Sequence, residues 1–136
     1  MLTFTITSKP CSVNSAYISQ GRFRKLSPDA RAFKLSAGTE ILEQLQHLLD
    51  VEPGALQPLS GSRLALKLSY HRSNWLTKSG TIRKVDIASY EKLTVDTVFE
   101  ALAQYLPGLD DSLLFEVALK KIEDGKEYIT IEIEVI

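Results

Sequence analysis

Asp86, Lys92, Asp110 and Asp111 are the residues whose types and spacing could do chemistry. Asp86 stands just before a stretch of helical periodicity, and Lys92 falls about one turn into it. Asp110 and Asp111 come just after it, behind Pro107, Gly108 and Leu109. Hard divalent cations such as Mg²⁺ take oxygen ligands and keep several waters, so two or three carboxylates suffice to hold one. A cation held this way can bridge a phosphodiester oxygen and activate an attacking water. A lysine beside it can meet the charge that builds on the phosphate. All of this requires that the strands flanking the helix lie side by side. The same residues also have an ordinary reading. An aspartate before a helix complements the macrodipole, Asp-Asp is common in turns, and Lys92 with Asp96 is a normal solvated i,i+4 pair. Spacing alone leaves both readings open.

A second set of residues concerns binding. Between Lys9 and Lys34 lie Lys9, Arg22, Arg24, Lys25, Arg31 and Lys34 against Asp29 alone, a local charge of +5. Arg72, Lys78, Arg83 and Lys84 occupy a stretch without an acid, a local +4. Compensating acids crowd the C-terminal part: Glu123, Asp124, Glu127, Glu132 and Glu134. If both basic stretches fall on one face they form a footprint for a polyanion. Tyr17, Phe23 and Trp75 are spaced among them and could stack on unpaired bases. Either stretch by itself also reads as an exposed loop.

These residues need elements to position them. Leu2, Phe4 and Ile6 alternate with threonines, which predicts a half-buried strand. Pro10, Ser12, Asn14 and Gly21 predict a long loop from about Ser8 to Leu26. Ser27-Pro28-Asp29 combines an N-cap, a first-turn proline and an acid, so a helix starts there. Phe33, Ala37, Ile41, Leu45, Leu48 and Leu49 continue it, despite Gly38 in the middle. Leu64, Leu66, Leu68 and Tyr70 predict a second strand. A second helix starts near Ala88, carries Val95, Val98, Phe99, Leu102 and Tyr105, and ends before Pro107-Gly108. Leu113–Ile122 and Glu127–Val135 read as two further strands, with Asp124-Gly125 between them as a hairpin signal. Phe115, Val117 and Leu119 are expected to form a buried face. The order β-α-β-α-β-β predicts an α+β fold: a mixed four-stranded sheet with two helices on one face.

The bounds are plain. The chain of 136 residues is expected to be a single domain spanning 1–136. Its formal charge of −1 announces no nucleic-acid binder, so any such reading rests on where the charges sit. Cys11 is the only cysteine, which excludes an internal disulfide. No stretch is long and apolar enough for a bilayer span, and the first residues lack the pattern of a signal peptide. A cytoplasmic location without membrane attachment is therefore the expectation. His47 and His71 lack partners at ligand spacing, and no phosphate-cradling glycine loop is present.

Taken together, these residues resemble the RusA family of Holliday-junction resolvases nearly end to end. That family opens with a strand and a Pro-Ser-Asn-Asn-x-x-Tyr-like loop, which Pro10 to Tyr17 resembles, Asn14 and Tyr17 included. Its basic loop and first helix resemble Arg22 to Leu49. Its Asp-x-Asp-Asn-x-x-Lys motif resembles Asp86 to Lys92, and its Leu/Trp-Asp-Asp step resembles Leu109-Asp110-Asp111. The resemblance implies a homodimer that binds four-way or branched DNA. It implies symmetric cutting with Mg²⁺ (or Mn²⁺), in recombination and repair. By matching position, Asp86 with one or both of Asp110 and Asp111 would hold the metal, and Lys92 would be the catalytic lysine. Lys9, Asn14, Tyr17, Arg22, Arg24, Lys25, Arg72, Lys78, Arg83 and Lys84 would face the DNA. The chain departs from the motif at Ala88 and Ser89, where the family has aspartate and asparagine. The first change removes a carboxylate from the centre of the implied site. A non-catalytic branched-DNA-binding protein is thus the alternative, and a relative of the fold with an unrelated partner a third.

Overall fold

Alternation sets the sheet. In β1 (Leu2–Ile6) the odd residues are exposed and Leu2, Phe4 and Ile6 are buried. β4 (Leu64–Arg72) and β6 (Tyr128–Val135) likewise bury alternate rows, Leu64, Leu66, Leu68 and Tyr70, and Ile129, Ile131 and Ile133, with Ser69 of β4 buried as well. A side-chain period of two puts these rows on one face of a common sheet. That face carries the long helices α2 (Pro28–Val51) and α3 (Glu91–Tyr105). Helix α2 presents Ala30, Phe33, Ala37, Ile41 and Leu45 at helical spacing, and α3 presents Leu93, Val95, Val98, Phe99 and Leu102. The computed structural model describes residues 1–20 and 23–136. The α+β class and the mixed four-stranded sheet are as the pattern predicts.

The helix start at Ser27 is also as predicted. Its hydroxyl accepts from the Ala30 N–H at 3.2 Å, and Pro28 takes the first helical position. Several local expectations change. The long loop predicted from Ser8 to Leu26 contains a short helix, α1 (Val13–Ala16), and an antiparallel ribbon of β2 (Tyr17–Gln20) and β3 (Phe23–Leu26). The strands are too short for alternation to betray them. The second helix does not run straight from Ala88: Ile87–Tyr90 is a 3-10 turn, and α3 begins at Glu91. Ala88 and Lys92 therefore do not share one α-helical face.

The larger change is strand order. β5 (Leu114–Glu123) and β6 do not form a hairpin. The order is β1-β6-β4-β5, so β4 lies between them. β6 pairs antiparallel with both β1 and β4, whereas β5 pairs parallel with β4. Burial explains the choice. The unbroken isoleucine row of β6 is worth about 1.5–3 kcal/mol per buried side chain, which favours the central position. β5 becomes an edge that the helix layer fails to cover. Phe115 and Val117, predicted buried, are 63% and 40% exposed.

Because β1, β4 and β5 run the same way, their C-terminal ends share one end of the sheet, called here the upper end. Everything that leaves β1 and β4 in the forward direction starts there.

Candidate functional site

Asp86 lies at the upper end. Its Oδ1 accepts from the Ala88 N–H at 3.1 Å and caps the Ile87–Tyr90 turn. The Tyr90 ring, in that turn, sits 5.7 Å from the ring of Tyr70, two residues short of the end of β4. Tyr70 in turn shares a 3.2 Å hydrogen bond with Thr94, and burial pushes its phenol up to about 12. Lys92, exposed on the first turn of α3, pairs with Asp96 at 3.5 Å.

Asp110 and Asp111 lie at the other end. Asp110 caps a second 3-10 turn, Asp111–Leu113, accepting from the backbone and hydroxyl of Ser112. Those bonds, the hydroxyl's first, hold its carboxyl below the usual aspartate range. The turn feeds into Leu114, which is level with Leu64, the first residue of β4. From Leu64 to Tyr70 is about 20 Å of strand, and the 15 residues of α3 span about 22 Å. The strands flanking the helix do lie side by side, as the metal reading required. They are parallel, however, and a parallel crossover puts the residues before and after its helix at opposite ends. Asp110 and Asp111 instead line a hollow of about 230 Å³ with Asp96, Phe99, Glu100, Ala103 and Leu109. Among the described residues no three Asp, Glu, His or Cys side chains stand close enough to share a cation. Within one chain, then, Asp86, Asp110 and Asp111 do not fit a single Mg²⁺.

The two basic stretches begin at the same end of the sheet. The segment after β1 and the segment after β4 both leave the upper end, on which Asp86 and Lys92 also lie. The first of them meets the Ile87–Tyr90 turn: Lys9, Pro10, Cys11, Ser12 and Ser15 share a groove of about 500 Å³ with Asp29, Phe33, Ser36 and Tyr90. Lys9, Arg24 and Lys25 are exposed, and the Arg24 guanidinium sits 5.3 Å over the ring of half-buried Tyr17. After β4 the chain forms a small hairpin closed by a Leu76–Ile82 bridge and a 2.8 Å bond from Thr77 N–H to the Thr81 carbonyl. Gly80, at φ +85, supplies its turn. The hairpin exposes Lys78, Arg83 and Lys84. Arg22 and the side chains of Asn14 and Phe23 lie outside the described residues.

Trp75 corrects an expectation. It is only 4% exposed and donates its indole N–H to the carbonyls of Tyr70 at 3.0 Å and Ile122 at 3.1 Å. It is a post under the hairpin, not a platform for a base. Arg72 stacks on it with its guanidinium 3.9 Å from the ring centre, while its buried Nε has no partner among the described residues.

Two arrangements were invisible in the sequence. His71 stacks on Tyr128 at 4.0 Å and lies 3.2 Å from both Asp124 Oδ2 and Thr130 Oγ1. Tyr128 also donates its hydroxyl to Asp124 at 2.9 Å, which leads in holding that carboxyl below its usual range. These residues come from β4, β6 and the turn before β6, so no local spacing announces them. Glu40, on α2, accepts from both the backbone and the hydroxyl of Thr7 and of Ser8. Burial alone would raise its carboxyl, but these bonds outweigh that and leave it below the ordinary value of 4.5. Glu40 thereby ties down the start of the basic segment after β1.

No protein-family model matches the chain, and no curated protein matches it. Among the described residues no helix is long and apolar enough to cross a membrane.

Proposed function

We propose that the protein binds branched DNA, four-way junctions above all, and cuts it as a Mg²⁺-dependent, structure-selective endonuclease. It works as a homodimer in the cytoplasm, in DNA recombination and repair. One observation carries the binding part: both basic segments leave the same end of the sheet as Asp86 and Lys92. Phosphate contacts supply most of the affinity of such a surface, and a dimer two-fold matches the symmetry of a junction. The cutting part rests on the resemblance of Asp86 to Lys92 and of Leu109 to Asp111 to the resolvase motifs.

A second reading is a junction-binding protein without catalysis. Two observations favour it: Ala88 stands where the motif has a carboxylate, and one chain sets Asp86 far from Asp110 and Asp111. One experiment separates the readings. A labelled four-way junction is incubated with the protein, with and without Mg²⁺ or Mn²⁺. Paired symmetric cuts that need the cation support the first reading, and retention without cuts supports the second. Equal affinity for junction and plain duplex, with no cutting, refutes both.

A further inference from the structure

The two edges of the sheet are treated differently. The outer edge of β1 is occupied: the Gln44 amide accepts from the Thr5 N–H at 2.9 Å and donates to the Thr5 carbonyl at 2.7 Å, as a neighbouring strand would. The outer edge of β5 has no such cover. Among the described residues no side chain bonds its backbone between Phe115 and Lys121, and Phe115 to Ala118 are all exposed. An open stretch from Glu116 to Lys121 with exposed Val117 in it and exposed Phe115 beside it is a template for another strand.

The sequence of that edge names the strand. We propose that β5 pairs antiparallel with β5 of a second copy, about a two-fold axis through Ala118, joining two sheets into one. Such an axis keeps each side chain on its own face, so only residues of the same face can stand opposite. Centred on Ala118, Glu116 faces Lys120 of the other copy on one side of the sheet. On the other side Val117 faces Leu119, and the match ends there, because Phe115 is the extra residue of an irregularity between Leu114 and Glu116. Every pair occurs twice. Neighbouring registers lose this match. Centring on Glu116 or Lys120 sets like charges together at the axis. Centring on Val117 or Leu119 leaves Glu116 and Lys120 opposite apolar residues. Charges on an edge strand normally repel an incoming strand; here their order admits one partner in one register.

The pairing has a consequence for the separated residues. In an antiparallel joint the start of β5 in one copy lies beside the end of β5 in the other. The Asp110–Asp111 turn of one copy then shares an end of the joined sheet with the Arg72–Lys84 hairpin and Asp86 of the second. The inference specifies the dimer proposed above and is independent of its DNA-binding part.

The test is sedimentation equilibrium across the micromolar range, on the parent, on Lys120→Glu, on Glu116→Lys and on the double charge swap. Each single variant puts like charges opposite in both pairs. At about 0.2–1 kcal/mol per cross-strand pair, lost and then reversed twice, dimerisation should weaken by about tenfold. The double swap should restore it. Independently, Ala118→Cys should oxidise to a covalent dimer, since facing strand residues have Cα atoms about 4.5–5.5 Å apart, within disulfide reach. The native Cys11 is buried and gives the background in the parent. A monomeric parent, single variants that dimerise like the parent, a swap that fails to restore, or Ala118→Cys that crosslinks no more than the parent each overturns the interface. A dimer that passes these tests but ignores junction DNA overturns the proposed function alone. A monomer that binds junctions overturns this interface alone.

Discussion

The β2–β3 ribbon offers the sharpest test of the DNA footprint, through Arg24 and Lys25. They are adjacent on β3, so their side chains leave opposite faces of the ribbon. A DNA arm lying on one face is touched by one of them and not by both. Arg24 is the one already held in place. It stands opposite Ser19, on the face of Tyr17, with its guanidinium 5.3 Å over that ring. Lys25 shares the other face with exposed Ile18. The perturbation is therefore three proteins: Arg24→Ala, Lys25→Ala and the double variant. Each phosphate contact adds about 0.9 to the slope of log affinity against log salt. Arg24→Ala should flatten the slope by about 0.9, Lys25→Ala should leave it alone, and the double variant should match Arg24→Ala. Over a fourfold rise in salt, one contact amounts to about 3.5-fold in affinity, well within reach of fluorescence anisotropy with a labelled junction. A drop of about 1.8 in the double variant would mean that DNA wraps both faces. An unchanged slope in all three would remove the ribbon from the footprint and refute the reasoning.

Other outcomes follow from particular residues. Asp86→Asn should abolish any cutting in a gel assay while junction affinity holds or improves, because a neutral amide is a poorer ligand for a hard cation but repels phosphate less; full cutting would reduce Asp86 to a turn cap. Ala88→Asp should fold, since Ala88 is exposed, and should increase cation-dependent cutting, measured on the same junction; no gain over a parent that does not cut would favour the non-catalytic reading. Glu40→Gln should lower Tm at neutral pH, since it replaces a carboxylate accepting charge-assisted bonds worth about 1.5–3 kcal/mol each before compensation. A depressed folded-state value means that this stability is present above the ordinary 4.5 and is lost as pH falls through the folded value, so melts of parent and variant should converge in acid. Gly38→Ala should raise stability by about 0.5–1 kcal/mol in a denaturant titration. Its added Cβ would meet Thr97 Cγ2 at 3.8 Å, an ordinary contact, and a loss of stability would mean that α2 and α3 cannot accept it.

The sequence by itself determined the four strands of the main sheet and the two long helices. The isoleucine row of β6, the leucine row of β4 and the stripe Phe33-Ala37-Ile41-Leu45 are periodic signals that depend only on neighbours along the chain, and the Ser27-Pro28 start is a local hydrogen bond. It also showed which residues could do chemistry and where the basic charge is dense. Tertiary structure alone decided how these meet. Asp124-Gly125 promises a hairpin, yet β4 lies between β5 and β6, because the strands with the longer apolar row on the helix face take the centre and no local rule weighs one strand against another. Trp75 lies in a basic, polar stretch but is buried by contacts to Tyr70 and Ile122, the latter distant in sequence. His71, Asp124 and Thr130 form one cluster from separate strands. The spacing of Asp86, Asp110 and Asp111 around a helix was legible. Their separation was not, because it depends on β5 running parallel to β4, and direction is a property of the assembled sheet, not of either strand.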